Sequence, residues 1–217
     1  MRPLFAFAFL TLLGCDAVQS DDGFVRFVHA APNAPAVQVF LGDAPDDAIR
    51  FGETLSYITV GVGDPRVRVR NAADASRRYI DQLVRVEDEG VTTLVLLDTT
   101  VSKPYLYLED DLPGAALPRS IRLVHGAPGI GALNVFEADE DGAALSTRPV
   151  VTLGFRENSG FLGVGIGTTT IVAVERDAPF RRFTAQPRRG RLTFVLVEQN
   201  GLLRGVELDE MPPPNAQ

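Results

Sequence analysis

The chain has no tryptophan, one cysteine and two histidines in 217 residues. A single cysteine, Cys15, excludes an intramolecular disulfide and a zinc site of cysteine type. If the chain works outside the cytoplasm, its domains fold on apolar burial alone. Domains of roughly 90 residues can do so. No apolar run reaches the roughly 20 residues that cross a bilayer as a helix. No amphipathic helix of more than two turns stands out either. Positive charge is in short supply, with 21 Lys and Arg against 28 Asp and Glu, a net charge of -7. That balance disfavours general nucleic-acid binding and electrostatic docking on anionic lipid. Thirteen phenylalanines, with many valines and leucines, supply the core, and 20 glycines with 15 prolines imply many turns.

The first residues read as an address. Arg2 precedes an apolar run from Leu4 to Leu13, followed by Gly14-Cys15. A positive start, a short apolar stretch and a small residue at a cut site make a signal peptide over 1–14. Leu12-Leu13-Gly14-Cys15 resembles a bacterial lipoprotein signal. In such signals the cysteine becomes the first mature residue and carries acyl chains, so the resemblance makes Cys15 a lipid-attachment residue. Several chains anchor firmly where one is marginal. Residues 15–22 form a polar tether.

An internal repeat organises the remainder. Val25–Phe40 reads VRFVHAAPNAPAVQVF and Ile121–Phe136 reads IRLVHGAPGIGALNVF. Identical pairs are Arg26/Arg122, Val28/Val124, His29/His125, Ala31/Ala127, Pro32/Pro128, Ala36/Ala132, Val39/Val135 and Phe40/Phe136. Phe51–Gly63 matches Phe155–Gly167 in the same way, with Tyr57 recurring as Phe161. The second copy carries extra residues around Glu137–Thr147. A unit near 100 residues exceeds a solenoid repeat and has the size of a domain. The expected boundaries are 23–110 and 120–210, with a linker at 111–119 and a tail at 211–217.

Strand periodicity dominates. Arg66-Val67-Arg68-Val69-Arg70 alternates strictly, and Leu94–Leu97 and Phe194–Val197 are continuous apolar runs. About seven strands per copy, separated by Pro, Gly, Asn and Asp turns, predict an all-β chain of two tandem immunoglobulin-like β-sandwich domains.

The block Val28-His29-Ala30-Ala31-Pro32-Asn33-Ala34-Pro35 resembles the strand-turn-strand signature of the bacterial family called domain of unknown function 4397. Members carry Val-His-Ala-Ser-Pro-Asp-Ala-Pro there; here Ala31 and Asn33 depart from it. The second copy has Gly129-Ile130-Gly131 where the first has Asn-Ala-Pro. The resemblance implies an exported, β-rich, commonly tandem protein and carries over no catalytic residue.

His29 and His125 sit on apolar strand faces before proline turns. They read as turn-stabilising groups that bond backbone, with a ligand or base role as the sharper alternative. Ser159-Gly160 lacks the surroundings of a nucleophile elbow. Gly163, Gly165 and Gly167 lack the helix that a dinucleotide fingerprint requires. Glu137, Asp139, Glu140 and Asp141 form an acidic loop without the twelve-residue calcium spacing, since Val150 stands where the closing glutamate belongs. Arg66, Arg68 and Arg70 form a basic stripe that suits an anionic polymer; Arg181, Arg182, Arg188, Arg189 and Arg191 form a second cluster. The sequence therefore leads us to expect a cell-envelope lipoprotein, extracytoplasmic and held to the membrane through its N-terminal lipid. It would act as a non-catalytic binding or structural module for an envelope protein or glycan, without cofactor. An envelope hydrolase, and a metal or small-ligand carrier, are the alternatives.

Overall fold

The computed structural model describes residues 22–111, 119–164, 170–179, 181–186 and 190–209. Cys15, most of the tether, residues 112–118, Gly165, Gly167, Arg188, Arg189 and the tail lie outside them. Among the described residues every helical or strand element is a strand. The first eight are β1 Asp22–His29, β2 Val37–Leu41, β3 Ala44–Ile49, β4 Ile58–Gly61, β5 Arg66–Asn71, β6 Arg78–Leu83, β7 Gly90–Leu96 and β8 Tyr105–Asp111. The second eight are β9 Ser120–His125, β10 Leu133–Ala138, β11 Val151–Leu153, β12 Leu162–Gly163, β13 Thr170–Glu175, β14 Arg182–Ala185, β15 Arg191–Gln199 and β16 Leu202–Asp209.

They form four four-stranded sheets, and the strand order is the same in both halves. In the first half β4-β1-β7-β8 faces β3-β2-β5-β6; in the second β12-β9-β15-β16 faces β11-β10-β13-β14. The chain is thus all-β, a pair of β-sandwiches. Among the described residues each half has eight strands, near the expected seven or so. Each inner sheet has a parallel central pair, β1 with β7 and β9 with β15, where the immunoglobulin sandwich is built from antiparallel sheets.

The alternating residues explain the layers. Phe27, Val37, Val39, Val67, Val69, Leu94 and Leu96 fill the first sandwich. Leu123, Leu133, Val135, Ile171, Phe194 and Leu196 fill the second. A third cluster joins the two inner sheets: Val28, Val95, Leu97 and Leu108 with their counterparts Val124, Val195, Val197 and Leu208. The inner sheets therefore have a core on each face. That is why β1 and β9 are buried along nearly their whole length, as continuous apolar strands require. Gly126 lies at the contact, where a Cβ would come within 2.8 Å of Leu97 Cδ2.

Candidate functional site

The histidines end the first strand of each half. His29 is fully buried. Its Nε2 lies 2.9 Å from the Pro35 carbonyl, and its Nδ1 lies 3.3 Å from the Ala31 amide. An amide N–H only donates, so Nδ1 accepts and Nε2–H donates. His125 repeats this with the Gly131 carbonyl at 2.9 Å and the Ala127 amide at 3.3 Å. Phe51 and Phe155 sit edge-on to the rings. Burial pushes both imidazole pKa values down from the usual 6.5. Both ring nitrogens of each histidine are thus committed to closing the following turn, which leaves no lone pair for a metal or a proton to be abstracted.

The two turns flank a cleft of about 550 Å³ between the sandwiches. Its lining includes Asn33, Asp98, Thr100 and Glu198. Asp98 Oδ1 already accepts from Asn33 Nδ2, the Thr100 amide and the Thr100 hydroxyl, at 3.0, 2.6 and 2.5 Å. Asp98 is therefore a loop-closing residue.

The basic stripe lies on the outer face of the β3-β2-β5-β6 sheet, because the intervening Val67 and Val69 point into the core. Asp81 grips Arg66 with both oxygens, at 2.6 and 2.9 Å. Those hydrogen bonds hold the Asp81 carboxyl below the usual carboxylate range. Arg68 donates to the Gly42 carbonyl at 2.7 Å and to Asp43 at 3.0 Å. Arg70 donates to Gln38 Oε1 at 3.0 Å. The guanidinium carbons of Arg68 and Arg70 lie 5.3 and 4.4 Å from the Phe40 ring centre. Arg78, cross-strand from Arg70, joins the face and approaches Asp81 at 3.7 Å.

The second half differs at this face. Thr170, Val172 and Val174 stand where Arg66, Arg68 and Arg70 stand in the first. Thr170 and Val172 are only 1% and 3% exposed. In the extra residues of this half, Ala144 bridges to Ala138 on β10, and the Gly142 carbonyl accepts from Arg182 on β14. Within the insertion Asp139 Oδ1 accepts from the Asp141 and Ala143 amides. Among the described residues no three His, Cys, Asp or Glu side chains converge as a metal ion would require.

The remaining motifs are local. Ser159 Oγ accepts from the Leu123 amide and donates to the Gly160 carbonyl. Gly163 belongs to β12, and Gly61 and Gly63, the first-half counterparts of Gly165 and Gly167, lie on or beside β4. The second arginine cluster is dispersed: Arg181 pairs with Glu175, Arg182 reaches Gly142, and Arg191 stacks on Phe161.

Sequence reasoning passed over one constellation. Arg26 and Arg122 are 3% and 4% exposed although they are charged. Each donates to a threonine on the neighbouring parallel strand, Arg26 to Thr93 at 3.1 Å and Arg122 to Thr193 at 3.0 Å. Each also lies over a ring, Tyr57 at 4.7 Å or Phe161 at 4.4 Å. The signal was present: Arg26/Arg122, Thr93/Thr193 and Tyr57/Phe161 recur at matching positions of the two copies.

Two packed β-sandwiches, each with a histidine at the end of its first strand bonded to the backbone of the following turn, define an all-β module. The family model described as Domain of unknown function (DUF4397) matches residues 23–136. The chain belongs to that family. The match runs from β1 through Phe136 of β10. A search of the curated proteins finds no match.

Proposed function

We propose that this protein is a lipid-anchored module of a bacterial cell envelope, extracytoplasmic and non-catalytic, that binds or organises another envelope component. One observation carries the reading. The imidazoles, which are the side chains best suited to acid-base or metal chemistry near neutral pH, have both nitrogens bound to backbone. The N-terminal pattern ending in Cys15 supports export and acylation, and the repeated strand order supports two tandem copies of the family domain.

Palmitate labelling of wild type and Cys15→Ser, followed by membrane fractionation and protease shaving of intact cells, tests the placement. Label on wild type alone, with the protein in the membrane fraction, is the expected result. Absence of label removes the anchor. Cross-linking in native envelopes tests the binding role, and recovery of nothing above an unrelated lipoprotein counts against it. Turnover of an envelope polymer that is lost in the folded His29→Ala, His125→Ala double variant would replace the reading with a hydrolase.

A further inference from the structure

The strand order does not require the arginine face of the first sandwich. The second half builds the same sheet, in the same strand order, with Thr170, Val172 and Val174 at the register positions of the arginines. Thr170 and Val172 are buried there, whereas Arg66 and Arg78 are exposed. The strand order therefore does not by itself call for arginine at these positions. We propose that this face, through Arg66, Arg68, Arg70 and Arg78, binds the acidic groups of a linear carboxylated or sulfated glycan; this rests on the envelope-module reading above.

Three features fit that ligand. Alternate residues on a strand project to one side roughly 7 Å apart, so β5 presents its three arginines from one face: Arg66 leans towards Asp81 on β6, Arg68 and Arg70 lean over Phe40 on β2, and Arg78 on β6 lies beside Arg70. The three are held in place by Asp81, the Gly42 carbonyl, Asp43, Gln38 and the Phe40 ring. Fixed side chains lose little freedom when a ligand arrives. The four arginines pair with two carboxylates, Asp81 and Asp43, and the contacts of Arg70 are an amide oxygen and a ring rather than an acid. Guanidinium forks match the paired oxygens of carboxylate and sulfate. The excess is local in a chain of net charge -7, which disfavours adsorption to every polyanion alike.

The test uses the whole chain bearing Cys15→Ser, titrated calorimetrically with hexagalacturonate and a heparin-derived hexasaccharide. Maltohexaose is the neutral control, and vesicles of phosphatidylcholine with one-third phosphatidylglycerol are the lipid arm. The expected result is binding of at least one acidic glycan and not of maltohexaose, weakening as salt rises. Arg68→Gln, Arg70→Gln together should weaken it about tenfold or more, the loss expected for charge-assisted hydrogen bonds. Arg70→Lys should fall between, and Arg148→Gln, an exposed residue between β10 and β11 of the second half, should bind as wild type. An unchanged urea midpoint shows that the double variant is folded. The inference is overturned if neither acidic glycan binds at millimolar concentration, if the double variant binds as wild type, or if only the vesicles bind. Failure here with a partner still recovered by envelope cross-linking removes this ligand and leaves the module reading intact; failure of both removes both.

Discussion

At the end of β1 a neutral imidazole holds a turn closed by donating to one carbonyl and accepting from one amide. Removing it leaves the Pro35 carbonyl and the Ala31 amide without their partner. His29→Ala should therefore cost about 1–3 kcal/mol, read as a drop in the urea midpoint. The pH dependence follows from burial. Both histidines have folded pKa values below 6.5, so below that value the unfolded chain takes up protons that the folded chain refuses. Their contribution is fully present above pH 6.5 and declines as pH falls from there towards the folded values. Stability measured at pH 7.5 and pH 5 should fall less in a His29→Gln, His125→Gln variant than in wild type. The turn role of these residues was legible because each histidine sits between an apolar strand and a proline. The burial of Arg26 was not legible. An arginine within VRFV reads as a solvent-facing alternate residue, and only the fold brings Thr93 and the Tyr57 ring against it.

Among the elements, the two copies solve the turn after β3 and β11 differently. Gly52 has φ 86° and its counterpart Arg156 has φ 69°. A side chain in that left-handed region costs roughly 1–2 kcal/mol. Arg156 Nε is in addition buried without a partner. Arg156→Gly should stabilise the protein by up to about 1 kcal/mol, after the entropy of glycine in the unfolded chain is deducted, seen as a higher melting temperature. The insertion makes the opposite case. Deleting Glu140–Ser146 removes the Gly142 carbonyl that accepts from Arg182 and the Ala144 bridge to Ala138. It should lower the urea midpoint by about 1–2 kcal/mol of stability. The repeat alignment located the extra residues and their acidity. It did not reveal the contact with Arg182, because β14 comes near the insertion only through the sheet order.

For the whole molecule the consequence lies between the inner sheets. Val28, Val95 and Leu97 meet Val124, Val195 and Val197 in a shared core, so the halves should unfold in one calorimetric transition although each has a core of its own. Leu97→Asp places an unpaired carboxylate in that seam, at a cost of several kcal/mol, and should split the transition in two. In the sequence the recurring VHAAP and VHGAP blocks pointed to a repeated unit, and the alternating residues to sheet sandwiches. The seam was hidden because a strand buried on both faces loses the period-2 signal, as the runs at Leu94–Leu97 and Phe194–Val197 illustrate. The parallel pairing of β1 with β7 has a mechanical meaning. Six residue pairs connect them, from Phe24↔Val91 to His29↔Leu96. A pull on Asp22 from the proposed anchor runs along β1, so the ladder is loaded in shear, every rung sharing the force, instead of being peeled open one rung after another. A tethered protein built this way can bear tension at its attachment strand while the sandwiches above it stay folded.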